Sequence, residues 1–91
     1  MGKEEKEKFV EVAVITTSGS YPVEGFIRTP AHQKIRVIIK KAEDELKIID
    51  STNWIARVKG TEINIDISYE EAKLEGEVSI DWGPRQGGGG R

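Results

Sequence analysis

Few residues in this 91-residue chain are of a type and spacing that could do chemistry. Cysteine is absent, so no thiolate nucleophile, thiolate metal site or disulfide framework can be built. His32 is the only histidine, and it falls in the first turn of an expected helix, where a surface or capping role outweighs metal binding or proton transfer. Carboxylates are plentiful, but Glu43, Asp44 and Glu45 are consecutive on a helix, and Glu70 and Glu71 open a second helical turn, where acids suit the helix dipole. No acid–base pair stands out. Thr17-Ser18-Gly19-Ser20 lacks the lysine and the spacing of a phosphate loop and reads as a hairpin turn. The chain is therefore not read as an enzyme, and no cofactor or metal is expected. What is left is its end: Gly87, Gly88, Gly89 and Gly90, followed by Arg91. Glycine has no Cβ and accepts nearly any φ and ψ, so such a run can thread a narrow cleft. A flexible linker, a fusion remnant or an inert tail has the same composition.

The elements that would carry such a tail must fit in one small domain. With 36% hydrophobic and 33% charged residues, the chain falls in the ordinary globular class. Net charge is −2, and Lys34, Arg36, Lys40 and Lys41 are answered at once by Glu43, Asp44 and Glu45, so a solvated helix face is expected and nucleic-acid binding is not. Residues 1–8 are a flexible, charged lead-in with no apolar segment behind them, so neither a signal peptide nor a membrane anchor is expected and the cytoplasm is the default location. The expected organisation is this lead-in, a folded domain over 9–82 and a flexible glycine-rich tail over 83–91.

Periodicity supplies the elements. Phe9 to Ile15 is a strand with Val10, Val12 and Val14 on one face, and a hairpin leads to a second strand over Tyr21 to Ile27 that Pro22 and Gly25 consign to an edge or a bulge. Thr29-Pro30 has the form of an N-cap and first helical residue, with an apolar stripe at Ala31, Ile35, Ile38 or Ile39, Ala42 and Leu46. Trp54 to Lys59 resumes a period of two before Gly60, and Ile63, Ile65 and Ile67 alternate as a further short strand. Ser68-Tyr69-Glu70-Glu71 has the capping-box form, and Glu77 to Trp82 closes the domain with Val78, Ile80 and Trp82 on one face. Both tryptophans, Trp54 and Trp82, fall on inward faces.

This element order and the ending Trp82-Gly83-Pro84-Arg85-Gln86-Gly87-Gly88-Gly89-Gly90-Arg91 resemble the ubiquitin-like modifiers, and the bacterial conjugation members most of all. The resemblance covers about residues 9 to 90 and implies an α+β, ubiquitin-like β-grasp, a mixed four- to five-stranded sheet with one long helix on one face. It implies that a peptidase removes Arg91, that the carboxylate of Gly90 is adenylated with ATP, and that the chain passes as a thioester to an amine on a target protein, forming an isopeptide bond. Activating, conjugating and deconjugating enzymes are the implied partners of an expected monomer. Aligned on Gly60 and the last strand, the outward positions of ubiquitin's apolar binding patch fall on Arg57 and Asp81, so ordinary ubiquitin readers are not expected to bind. Arg57, Asp81 and Arg85 are the expected recognition surface, and Gly83-Pro84 at the base of the tail implies a dedicated activating enzyme. A sulfur carrier with a C-terminal thiocarboxylate, or a non-conjugated protein-binding module, shares the fold.

Overall fold

The computed structural model describes residues 8–85. In chain order the elements are β1 (Phe9–Thr16), β2 (Gly19–Tyr21), β3 (Ile27–Pro30), α1 (Ile35–Leu46), β4 (Trp54–Val58), β5 (Thr61–Ile63) and β6 (Glu77–Pro84). Among the described residues the strands form one six-stranded sheet in the order β2-β1-β6-β4-β5, with β3 also pairing β1. β1 and β6 run parallel at its centre, and the other strand pairs are antiparallel. The class is α+β, with the helix on one face of a mixed sheet.

Alternation builds the core. Val12 lies beside Val78 and Val14 beside Ile80 across the central pair, and all four are buried together with Val10 and Trp82. The helix answers with Ile35, Ile38, Ile39 and Ala42, each buried, at spacings that form one stripe. Burying a Val or Ile side chain contributes roughly 1.5 to 3 kcal/mol, so this contact is the main favourable term.

The single strand expected over Tyr21 to Ile27 is two strands. On β1, Val14 pairs with Tyr21 and Val12 with Ile27, so a step of two on one side is met by a step of six on the other. The excess leaves the sheet as the loop from Pro22 to Phe26, where Pro22 has no N–H to donate and Gly25 takes a φ of 73°. Six strands replace the expected four or five for this reason.

The helix does not start at Thr29-Pro30. Thr29 is buried in β3 opposite Val10, with its hydroxyl donating to the Ile27 carbonyl at 3.1 Å, and α1 begins at Ile35 after Lys34, which makes no side-chain cap. Tertiary partners replace the local cap: the Ile35 N–H donates to the Ile67 carbonyl at 3.0 Å and the Arg36 N–H to the Ile65 carbonyl at 2.8 Å. This also ends β5 at Ile63, because the carbonyls of Ile65 and Ile67 face the helix instead of a neighbouring strand. His32 thereby falls in the turn before the helix, not in its first turn. The capping box is present: the Ser68 N–H donates to the Glu71 carboxylate and the Glu71 N–H to the Ser68 hydroxyl, both at 3.0 Å. Lys59 and Gly60, with φ of 54° and 81°, form the two-residue turn between β4 and β5. At the other end of the domain the Lys8 carbonyl accepts from the Ala31 N–H at 2.8 Å.

Tyr69, at the start of the capped turn, is fully buried, and its hydroxyl has no hydrogen-bond partner. Burial pushes its phenol well above the usual range, because the phenolate would lose its hydration. In the folded state the proton is held more tightly than in the unfolded chain, so stability is fully present below about pH 10 and falls as pH rises beyond it. Tyr69→Phe removes an unsatisfied polar atom and should raise stability by about 1 kcal/mol at neutral pH, and it should abolish the steep loss above about pH 10. Urea titrations of both proteins at pH 7 and pH 11 check it; a destabilised Phe variant would mean that the hydroxyl has a partner such as a buried water.

Candidate functional site

The last strand has an inner and an outer face, and each does separate work. On the inner face Trp82 is buried, and its indole N–H donates to Glu43 Oε2 at 2.9 Å. The same oxygen accepts from the Ser51 hydroxyl at 2.5 Å, so one half-buried carboxylate joins β6, α1 and the loop before β4. Trp54 is half-buried and meets Trp82 edge-on, with centroids 5.9 Å apart and planes at 67°. Glu43 thus departs from the solvated helix face expected for it.

β6 continues past Trp82. Gly83 pairs with Ile55 and Pro84 with Trp54, so the base of the tail lies within the sheet as far as Pro84. Pro84 ends the ladder, having no N–H, and the Arg85 N–H then donates to the Asn53 carbonyl at 3.3 Å. Gly87, Gly88, Gly89, Gly90 and Arg91 lie outside the described residues.

On the outer face the register sets Ile15, Asp81, Arg57 and Glu62 in one row across β1, β6, β4 and β5. Arg57 and Asp81 are opposed across β4 and β6, at the two positions that align with ubiquitin's apolar patch and carry charges instead. Neither side chain has a hydrogen-bond or ion-pair partner among the described residues. Arg85 behaves differently, since its guanidinium donates to both oxygens of Glu62 at 3.2 and 3.4 Å. Beside Asp81, Ile15 is 43% exposed, and nothing occupies the space a side chain at Gly83 would fill. The result is a shallow hollow between Ile15, Asp81, Arg57 and Pro84.

Elsewhere on the surface Arg36 pairs with Asp66 through its Nε at 2.8 Å, while Lys34, Lys40 and Lys41 are exposed. Among the described residues no group of three His, Asp or Glu could hold a metal ion, and no helix is long and apolar enough to cross a membrane. Glu43 and Glu62 escaped sequence reasoning because Trp82 and Arg85, which they meet, are 39 and 23 residues away, and no local pattern signals a contact at that separation.

No protein-family model and no curated protein matches the chain. Among solved structures it is similar to a protein designed de novo on the basis of ubiquitin, at 17% identity and a TM-score of 0.64, covering 91% of this chain and 96% of that one. The fold is ubiquitin-like. A chain from a structure described as molecular mimicry of SUMO that promotes DNA repair gives 15% identity and a TM-score of 0.61, covering 84% of this chain and 94% of that one. The N-terminal ubiquitin-like domain of the 4931431F19Rik protein gives 12% identity and a TM-score of 0.60, covering 97% and 86%. At these identities the likeness carries the ubiquitin-like β-grasp fold alone.

The two faces of β6 should answer oppositely to truncation. Trp82→Ala should destabilise by roughly 3 to 5 kcal/mol, through a cavity and the loss of one of the two donors to Glu43, whereas Asp81→Ala should change stability by less than about 0.5 kcal/mol. Equal urea midpoints for the two variants would refute this assignment of faces.

Proposed function

We propose that the chain is a ubiquitin-like protein modifier of the kind bacteria use, acting in the cytoplasm. A peptidase removes Arg91 and frees the carboxylate of Gly90. That carboxylate attacks the α-phosphorus of ATP, releasing pyrophosphate and leaving an acyl adenylate. A cysteine thiolate of an activating enzyme displaces AMP to give a thioester. The thioester passes to a conjugating enzyme, and a target amine then displaces the thiol to form the isopeptide bond. None of these steps asks this chain for a side chain, which accords with a sequence that has no cysteine and a single histidine.

The observation that carries the reading is the ubiquitin-like fold joined to an ending of four glycines. β6 delivers the backbone past Pro84 at the end of the sheet, and only Arg85 and Gln86 intervene before the glycines. Arg57 and Asp81, opposed and without ion partners, supply a recognition face that an apolar ubiquitin reader would have to desolvate without compensation. On this reading Gly83-Pro84 at the base of the tail calls for an activating enzyme dedicated to this chain.

The form ending at Gly90 should yield two kinds of ATP-dependent adduct in extract of the native host: one with an activating enzyme that dithiothreitol cleaves, and stable ones on other proteins. Full-length chain should react only after losing Arg91, and Gly90→Val should not react, since a β-branched residue cannot follow glycine's backbone freedom. A folded Gly90 form that gives neither adduct would leave a non-conjugated binding module as the better account. A sulfur-for-oxygen mass change at the terminus would instead identify a sulfur carrier.

A further inference from the structure

The outer face of the β4–β6 pair carries two cross-strand couples, and each is made of unlike members. Arg57 of β4 stands opposite Asp81 of β6, and two residues along Ile55 stands opposite Gly83. The first couple is a cation beside an anion, with neither side chain paired among the described residues. The second is a large apolar side chain beside a recess. Ile55 is half-buried, and a side chain at Gly83 would meet nothing within 4 Å. The φ of Gly83 is not positive, so the backbone does not demand glycine there, and what its missing side chain supplies is the open space.

We propose that this face docks a second copy of the chain. A two-fold axis lying in the interface, along the line between β4 and β6, turns β4 of one copy onto β6 of the other. Arg57 of each copy then faces Asp81 of the other, and Ile55 of each faces the recess at Gly83 of the other. An isologous contact requires that residue i meet j and that j meet i, and one axis satisfies this for both couples at once. Charge and shape are thus complementary to themselves, which favours a second copy over an unlike partner. At the rim the row continues as Ile15 and Glu62, where Glu62 is already held by Arg85. The contact is small against the roughly 800 Å² per partner of a stable complex, so the dimer is weak, with Kd on the order of 1 mM. The chain expected to be a monomer is then a dimer at high concentration. Self-association competes with any enzyme that docks on the same face, but it does not rest on the modifier reading.

The test follows the amide resonances of the full-length chain on dilution from about 2 mM to about 20 μM, a range that spans the expected Kd. Resonances of residues 55–57 and 81–83 should shift with concentration, and those of α1 should not. Arg57→Asp and Asp81→Arg should each weaken association by roughly tenfold or more, because each leaves two like charges facing two of the same sign. Mixed in equal amounts, the two variants should associate again, since each supplies the charge that the other lost. This recovery also shows that both variants are folded. Gly83→Leu fills the recess in open space and should weaken association at an unchanged urea midpoint. Absence of concentration-dependent shifts in the unchanged chain overturns the proposal, as does a mixture that behaves as the average of its two components. Shifts that persist undiminished in Arg57→Asp and Asp81→Arg alone place the contact on another surface and overturn it equally.

Discussion

The parallel pairing of β1 with β6 is the constraint on which the rest of the structure depends. Two adjacent parallel strands cannot be joined by a tight turn, so the whole of residues 17–76 becomes the connection between them. The pair lies at the centre of the sheet and presents its buried alternate residues to one side, and that side must be covered. The helix is the cover. β2, β3, β4 and β5 then satisfy the outer edges of the two central strands and of β4.

A cover packed on a smooth apolar surface needs its orientation set by polar contacts, and two fix it here. At its N-terminus the free amides of Ile35 and Arg36 are taken up by carbonyls of the segment after β5. Toward its other end Glu43 accepts from Trp82 and Ser51 at one oxygen. Removing either partner of such a half-buried contact leaves an unsatisfied group, so these contacts select one packing arrangement more than they add to its depth. Between them the helix is tied to the last strand of the core and to the loop that receives the base of the tail.

The same strand that closes the core carries the features on which a functional reading can rest. Its inner residues are committed to stability, while its outer residue Asp81 stands beside Arg57 with neither charge paired. Its end passes Pro84 into a stretch whose glycines have no side chains to pack. Stability and the proposed recognition face therefore draw on one backbone through different side chains, as the period of two allows.

How much of this was legible in the sequence differs by the range of the interaction. The alternation in β1 and β6, the apolar stripe of α1, the β4 strand before Gly60 and the Ser68–Glu71 capping box were all determined locally, by side-chain period or by partners three residues apart. The adjacency of Arg57 and Asp81 was also readable, through the resemblance in element order. Tertiary structure decided the rest. Thr29-Pro30 has the local chemistry of a helix start, but pairing with β1 gave those residues to a strand and left the helix to be capped by carbonyls more than twenty-five residues away. Ile65 and Ile67 continue the strand period of Ile63, yet those carbonyls were needed by the helix. Glu43 and Glu62 look like any other acid in an acid-rich chain, and the approach of β6 and its end brought Trp82 to one and Arg85 to the other. Periodicity sets which face of an element is apolar; it holds no information about which distant donor meets a given acceptor, because that depends on how the elements cross.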